Sequence, residues 1–541
     1  MSNLPEEEQQ TESTGIGSIN TRFRKMSASL SVLSGRISRL EKYDSSVMKI
    51  LGLVALVLGF ILLIMTVYAA VAKEDFWLFL KPAPFFLVFG LYCFLRFRFS
   101  QISASVGILL ITETWVLCFI SAILPFYGSG MPLIDSVYEG ISGFTTTGSS
   151  MLKDFDATPH SILLWRAMIQ WFGGMTVVFV FAFLLPMIGM GGKNLGSNEF
   201  GGNSSEFSQD IRTSALSFVR MYAALTFLEI VMLLIIGLIG IDSDRLTLFD
   251  CICIAMSNVS TGGLLPFSDS MASFSFPVQF VTWVFMILGA SNFFLMVRSI
   301  TQRKNLLVRS REWKMMIGWF VACALIITVA LIYNTPEQTG LADFWQALYA
   351  VSSSGTSAGF AIADYLTWPA VATVILLIVQ FVGGCSGSTA GGIKIHRLMA
   401  MKAYIFAGME KIMHPGAVTI MEVDGSRMDS DQVTSILSTA LLFMAALIVA
   451  TVAIMVIEDS DMLNSLYLTV SAVSNAGTVV GTGSLSFEPT DLSKIILCFL
   501  MYLGRMELVY ILMMFTRRFW SEVLQSSKRH SVRMGLFVKK N

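Results

Sequence analysis

Four segments of the chain share one pattern, in which a short apolar stretch runs into Ser, Thr or Asn residues and then a glycine. The glycines in question are Gly148, Gly263, Gly359 and Gly477. A polar residue stands thirteen positions before each glycine and a tyrosine or cysteine ten positions before, giving the pairs Asp135 and Tyr138, Asp250 and Cys253, Gln346 and Tyr349, and Asn464 and Tyr467. One such segment would be an ordinary turn between helices, but four in register indicate an internal repeat.

The chemistry available to these segments is that of backbone carbonyl groups. Glycine tolerates positive φ, so successive carbonyls can turn to one side of the chain. Bare carbonyl oxygens can replace the hydration shell of a cation. A short helix that ends near the middle of a membrane adds the partial negative charge of its C-terminal end. Four such units around one axis therefore predict a site that selects cations.

Membrane-spanning helices are the elements that would position these segments. Hydrophobic residues make up 54% of the 541 residues and charged residues only 14%, whereas a soluble chain needs about 25% charge to cover its surface. A soluble enzyme is therefore excluded, and the net charge of zero leaves no basic surplus for nucleic acid. About 20 apolar residues cross a bilayer as a helix. The sequence predicts ten crossings, at 47–72, 82–98, 103–126, 161–188, 215–241, 273–298, 314–333, 367–400, 431–457 and 488–515.

The predicted fold class is an all-α polytopic membrane protein. It has four fused helix–pore-loop–helix repeats around one central pore, preceded by a two-helix hairpin. The expected boundaries are 1–46 for a cytoplasmic tail, 47–98 for the hairpin, 103–188, 215–298, 314–400 and 431–515 for the repeats, and 516–541 for a second cytoplasmic tail. The seven cysteines form no CxxC pair and are expected to be small buried hydrophobes.

The distribution of charge along the chain predicts its orientation. Lys and Arg crowd both tails and the segments after 298 and after 393, whereas most other connections are acidic. Basic connections stay on the cytoplasmic side, so both termini are expected in the cytoplasm of a multi-pass plasma-membrane protein. The acidic connections, which include Asp242, Asp244 and Asp250, face outward and would concentrate cations there.

The predicted span 367–400 is interrupted by Gly383, Gly384, Gly387, Gly391 and Gly392. Each glycine costs a helix about 1 kcal/mol against alanine, so this stretch is expected to be an irregular loop, with a close-packed kink as the alternative. It is not a phosphate-binding loop, because Lys394 follows an isoleucine rather than a glycine. Arg505 lies inside another span, and an intramembrane charge marks a functional site by default.

At these residues the sequence resembles the Trk/Ktr/HKT superfamily of potassium transporters. The resemblance covers about residues 100–515 and includes the stretches 170–174, 383–394 and 504–507, and the preceding hairpin fits the Trk branch. It implies that the four glycines form a selectivity filter for K⁺, with the coordinating carbonyls on the two residues before each. These carbonyls belong to Thr146 and Thr147, Thr261 and Gly262, Ser357 and Ala358, and Asn475 and Ala476.

The resemblance further implies that the glycines of 383–392 form a gate under the filter, with Arg505 beside it as an electrostatic barrier. It implies a homodimer, a cytosolic nucleotide-binding regulatory subunit, no cofactor and no enzymatic reaction. Two other functions remain open for the chain: a potassium-binding subunit of a P-type ATPase complex and a sodium- or proton-coupled symporter. Gly481 is an alternative to Gly477 in the fourth repeat. Glu113 and Glu229 are expected to pair with Arg166 or Arg220, with a coupling-ion site as the other interpretation.

Overall fold

The computed structural model describes residues 46–98, 104–179, 211–334, 340–415, 421–423, 426–428, 430–477, 489–506, 508–521 and 523. Predictions for the N-terminal tail before residue 46, for Gly481 and for the chain after 523 fall outside these ranges. Within them the elements are helices, apart from a pair of two-residue antiparallel strands, β1 Glu422–Val423 and β2 Ser426–Arg427. The all-α polytopic fold class is confirmed.

The hairpin and the first two repeats contain ten of the helices. They are α1 Ser46–Val71, α2 Trp77–Leu80, α3 Ala83–Arg96, α4 Ala104–Gly128, α5 Leu133–Phe144, α6 His160–Phe179, α7 Ile211–Leu238, α8 Leu248–Val259, α9 Phe276–Gly289 and α10 Phe293–Gln302. The third and fourth repeats follow a short connecting helix. Here the helices are α11 Leu306–Arg309, α12 Arg311–Asn334, α13 Gly340–Thr356, α14 Ala370–Val382, α15 Ile395–Met413, α16 Ser430–Glu458, α17 Met462–Ser474, α18 Asp491–Met506 and α19 Leu508–Met514.

Each repeat contains a helix of 12 to 17 residues that leads into its glycine segment, namely α5, α8, α13 and α17. Helix α8 has 12 residues, about 18 Å at 1.5 Å per residue, which is too short to cross about 30 Å of hydrocarbon. It begins with a capping box, in which Thr247 and Asp250 satisfy each other's backbone N–H groups. The short helices therefore end inside the protein, where the four glycine segments begin.

Several predicted crossings are interrupted. By length and composition, six described helices can span a membrane, or seven if one bent pair counts as a span. The bent pair is α9 and α10, which meet at 93° where a continuous helix over 273–298 was expected. Asn292 causes the break, because its side chain accepts hydrogen bonds from the N–H groups of Phe294 and Leu295 and starts a new helix. The prediction 367–400 is likewise divided, by the glycine-rich stretch between α14 and α15.

The buried side chains form three main clusters. The largest joins the hairpin to the first and fourth repeats, and the others belong chiefly to the second and third repeats. Glu74 in the hairpin fixes the hairpin to the first repeat, because its carboxylate accepts from the N–H groups of His160 and Ser161 at the start of α6. All seven cysteines are free and buried, as expected.

A ring of four glycines and a buried glycine loop

The four short helices end in the same hydrogen-bonded turn. In each repeat the N–H of the residue before the glycine donates to a serine carbonyl five residues earlier, at 2.8 to 3.1 Å. These serines are Ser142, Ser257, Ser353 and Ser471. A second bond closes inside the first, as in the Schellman motif that ends many helices. The shared serine is a signal in the sequence that the pattern analysis missed.

The backbone conformation of this turn also repeats. The residue two before each glycine is left-handed, with φ of 55° at Thr146, 52° at Thr261, 57° at Ser357 and 50° at Asn475. This conformation costs roughly 1–2 kcal/mol for a residue with a Cβ, and glycine would avoid the cost. Gly148, Gly263, Gly359 and Gly477 also have positive φ, between 49° and 87°. The same strained backbone conformation recurs at four equivalent positions. This indicates that the function depends on the backbone geometry rather than on any one side chain.

The four glycines, Gly148, Gly263, Gly359 and Gly477, lie next to one another and are called the glycine ring below. A Cβ added to any of them would meet the carbonyl oxygen of the residue just before the glycine of the next repeat. The pairs are Gly148 with Gly262, Gly263 with Ala358, Gly359 with Ala476, and Gly477 with Thr147. The last pair returns to the first repeat, so the repeats close a ring in chain order. Gly477 holds the fourth place.

Buried amide side chains hold the segments of the ring. The Gln170 amide oxygen accepts from the Leu264 N–H at 2.9 Å, and its NH₂ donates to the Leu264 carbonyl at 3.2 Å. The Asn475 NH₂ donates to Thr147 Oγ1 at 2.9 Å and to the Met501 carbonyl at 2.8 Å. Each amide thus joins one repeat to its neighbour.

Glycines of the following helices allow close approach to the ring. A Cβ at Gly173 would collide with the Phe144 carbonyl oxygen, and one at Gly504 with the Val473 carbonyl oxygen. Phe144 and Val473 occupy the same place in their repeats, four residues before the ring glycine. These two glycines belong to the family-like stretches 170–174 and 504–507, and their role in the structure is backbone packing.

The glycine loop, residues 383–392, lies against the ends of the short helices. Its residues are buried, with Gly392 half-buried. Thr389 Oγ1 lies 3.1 Å from the Val259 carbonyl and 3.0 Å from the Gly289 carbonyl. The Gly391 N–H donates to Ser357 Oγ at 2.8 Å, and the Gly392 N–H donates to the Ser474 carbonyl at 3.0 Å. The loop therefore contacts the second, third and fourth short helices at their C-terminal ends.

Charged side chains of α12 and α18 fix the glycine loop. The Arg505 guanidinium is buried and donates to the Thr389 carbonyl at 2.9 Å, so the arginine meets the loop that the resemblance placed beside it. On the other side, the carboxylate of buried Glu312 accepts from the Ser386 N–H at 2.6 Å. Sequence reasoning missed Glu312, which stands at the start of α12, where a carboxylate is common for helix-dipole reasons alone.

The contacts of Arg166 and Glu229 differ from expectation. Arg166 pairs with Glu139 at 2.7 Å, not with Glu113 or Glu229, and also donates to Ser150 Oγ and to the Leu265 carbonyl. It thereby connects the extended segments that follow Gly148 and Gly263. Glu229 is buried against Asn258.

Two of the acidic residues assigned to a cation-attracting surface make hydrogen bonds at the starts of helices. Asp242 accepts from the N–H and hydroxyl of Ser275 at the start of α9, and Asp250 belongs to the capping box of α8. Asp244 is exposed. Neutralising all three together would therefore weaken these structural hydrogen bonds as well as remove charge.

A helical membrane protein in which four repeats bring their glycines into one closed ring, with a buried loop against it, has the architecture of a cation transport protein. The chain belongs to the TrkH family of cation transport proteins, whose family model matches residues 84–525. The family consists of transport proteins rather than enzymes, which agrees with the sequence analysis. The chain is a multi-pass membrane protein.

Known relatives resemble the chain over most of its length. It is 28% identical over 432 residues to the Trk system potassium uptake protein TrkH of Escherichia coli (strain K12), covering 78% of this chain and 87% of that protein. It is 26% identical over 492 residues to TrkH of Vibrio parahaemolyticus serotype O3:K6 (strain RIMD 2210633), covering 88% and 99%. The crystal structure of the potassium transporter TrkH from Vibrio parahaemolyticus matches with a TM-score of 0.78 at 25% identity, again covering 88% and 99%.

Proposed function

We propose that this chain is the ion-conducting subunit of a potassium uptake system and that K⁺ passes through the glycine ring. The observation that carries the proposal is the closed order of the ring, in which each glycine meets the carbonyl of the next repeat. The relatives named as potassium uptake proteins support K⁺ as the substrate. The family match favours this function over a subunit of a P-type ATPase complex.

In this proposal the ion is bound by backbone carbonyls in place of its water. The carbonyls belong to Thr146, Thr147, Thr261, Gly262, Ser357, Ala358, Asn475 and Ala476, with the four ring glycines beside them. Carbonyl dipoles can bind a dehydrated cation even though the site has no fixed negative charge. The C-terminal ends of the four short helices add partial negative charge. Glycine at all four ring positions resembles the potassium-selective members of the superfamily.

The glycine loop acts in the proposal as the gate on the cytoplasmic side of the ring. The hydroxyl of Thr389 and the N–H groups of Gly391 and Gly392 hold the loop under three short helices. The Arg505 guanidinium binds the loop carbonyl of Thr389, and its positive charge opposes the passage of a cation where water is restricted. Opening requires these hydrogen bonds to break, together with those that join Ser386 to Glu312, Cys385 to Ala290 and Gly387 to Phe293.

The rest of the assembly follows from the charge distribution and the resemblance. Both termini lie in the cytoplasm, because the basic connections flank them; in a Gram-negative cell the membrane is the inner one. The regulatory signal comes from a cytosolic nucleotide-binding subunit that pulls on the helix after Lys394. Two copies of this chain form the membrane unit.

A flux assay tests the proposed substrate and separates a channel from a coupled transporter. The purified chain in liposomes should take up rubidium tracer, with inhibition by excess K⁺ but not by equal Na⁺. The same uptake is then measured with and without a sodium or proton gradient, and dependence on a gradient would identify symport. Inhibition by Na⁺ as strong as by K⁺ would reject potassium selectivity.

The gate is tested by the uptake of rubidium without a partner subunit. Thr389→Val keeps the shape of the side chain but removes the hydroxyl that binds two carbonyls, and Arg505→Ala removes the charge. Both should raise partner-free uptake while potassium preference is kept. Thr328→Val is the matched control, because among the described residues the Thr328 hydroxyl bonds only to its own helix, at the Ala324 carbonyl. If both variants conduct no more than the control, the loop is not the gate.

A further inference from the structure

Glu229 is a carboxyl group buried in the second repeat with a neutral partner. It lies on α7 and is fully buried, as is Asn258 on α8. The Asn258 NH₂ donates to Glu229 Oε1 at 2.6 Å and to the Thr282 carbonyl at 2.8 Å. Among the described residues, the second carboxyl oxygen of Glu229 and the amide oxygen of Asn258 have no hydrogen-bond donor. Both unsatisfied atoms are acceptors, so one added proton would satisfy the two together.

No counter-charge in the described part of the chain compensates an ionised Glu229. α7 itself, the described helices packed against it (α6, α8, α9 and α10) and α13, which is reached through Thr282, carry the following titratable or charged residues: Arg212, Arg220, Tyr222, His160, Arg166, Asp250, Cys251, Cys253, Arg298, Asp343 and Tyr349. Arg212 stands 17 residues before Glu229 on α7, about 25 Å away along the helix. Arg166 is committed to Glu139, and Tyr349 meets the Thr282 hydroxyl rather than the carboxyl. Burying an unpaired carboxylate costs several kcal/mol, whereas a neutral acid that is hydrogen-bonded does not carry that cost.

We propose that Glu229 binds a proton and, as a neutral carboxylic acid, forms a two-bond ring with the Asn258 amide. In this pair Oε1 accepts from the amide NH₂ and the protonated Oε2 donates to the amide oxygen. Donors and acceptors then balance, and a buried polar network is stabilising only when all its members are satisfied.

The pair lies directly behind the glycine ring. The Asn258 carbonyl accepts from the N–H of Thr261 at 2.9 Å, and Thr261 is the left-handed residue of the turn before Gly263. Thr282 connects the same site to Tyr349 of the third repeat at 3.1 Å. Loss of the proton would place a negative charge behind the ring and leave the Asn258 oxygen unsatisfied. Uptake is therefore expected to fall at alkaline pH; this consequence rests on the proposed function, whereas the protonation does not.

Infrared spectroscopy of the reconstituted full chain tests the proton directly. The wild-type protein at neutral pH should show the carbonyl stretch of a protonated carboxylic acid, and E229Q should lack it. E113Q is the control, since it removes a different intramembrane carboxyl and should keep the band. A wild-type spectrum identical to that of E229Q in this region would overturn the proposal, whatever the flux assay shows.

Rubidium uptake tests the functional consequence. Glutamine can form the same two hydrogen bonds with Asn258 without a proton, so E229Q should keep wild-type uptake and potassium preference and lose the alkaline decline. E229A should lower uptake. E229Q impaired below wild type at neutral pH would show that the anion is needed and would overturn the proposal, a comparison that stands even if E229A fails to fold. Absence of potassium-selective uptake in the wild type would instead count against the proposed function.

Discussion

At the scale of single residues, polar side chains near the ring hold backbone atoms. Gln170 binds both backbone groups of Leu264, and Ser357 Oγ accepts from the Gly391 N–H. This agrees with a site built from carbonyls, because carbonyl positions depend on whatever fixes the backbone. Substitution of such a side chain should change gating or stability before it changes ion preference.

Ser357→Ala tests whether loss of such a side chain changes gating. It keeps the Cβ but removes the acceptor of the Gly391 N–H, and an unsatisfied buried donor costs roughly 1–3 kcal/mol. Partner-free rubidium uptake should rise because one bond holding the glycine loop is lost. Ser354→Ala, three residues earlier in α13, is the control, since the Ser354 hydroxyl has no hydrogen-bond partner among the described residues. Equal uptake by the two variants would show that this bond does not hold the loop closed.

The ring glycines could be predicted from the sequence because a fourfold pattern is visible without any long-range contact. The pairing of Glu139 with Arg166 and of Glu229 with Asn258 could not. These partners stand 27 and 29 residues apart, and which charges meet depends on how helices of one repeat rotate against each other. Composition gives no signal for that rotation.

At the scale of elements, the sequence shows where a helix can break but not how closely two helices approach each other. The break between α9 and α10 could have been predicted, because Asn292 is a good N-cap directly before an apolar stretch. Hydropathy averaged over a whole predicted span does not show such a break. Gly173 and Gly504 were identified only through resemblance, since a glycine inside a helix does not show which carbonyl it faces.

Gly504→Ala should prevent α18 from reaching its place. The new methyl group would collide with the Val473 carbonyl oxygen, and backbone atoms at the end of α17 cannot move without disturbing the ring. We expect a lower melting temperature in detergent and reduced uptake. Gly318→Ala on α12 has open space around the new Cβ and should be neutral or stabilising by up to about 1 kcal/mol. Equal melting temperatures for both variants would contradict the close approach.

At the scale of the whole molecule, the first and last repeats must meet for the ring to close. Their side chains share the largest buried cluster, and Lys494 of the fourth repeat pairs with Asp135 of the first at 2.5 Å. Asp135 is the polar residue that opens the first repeat pattern. The order of the repeats could be predicted from the sequence. The contact between Lys494 and Asp135 could not, because 359 residues separate the two.

A double-mutant cycle measures how much this pair stabilises the closed assembly. Asp135→Asn and Lys494→Gln should each lower stability, and the double variant should lose less than their sum, with a coupling of about 1 kcal/mol for a partly buried pair. Asp491→Asn is the control, because Asp491 is exposed and 3.8 Å from the same ammonium. Thermal unfolding in detergent supplies the values, and strict additivity would show that the pair does not couple the repeats.

We propose that the glycine ring selects potassium, and a matched pair of alanine variants tests this selectivity. Gly148 and Gly130 both have positive φ, at 85° and 94°, so alanine strains the backbone at both. Only at Gly148 does the new methyl group collide with a ring carbonyl, that of Gly262, whereas Gly130 has open space. The measurement is rubidium uptake in liposomes under competition by K⁺ and by Na⁺. Gly148→Ala should lose potassium preference while Gly130→Ala keeps it, and unchanged preference in a folded Gly148→Ala protein would contradict the account.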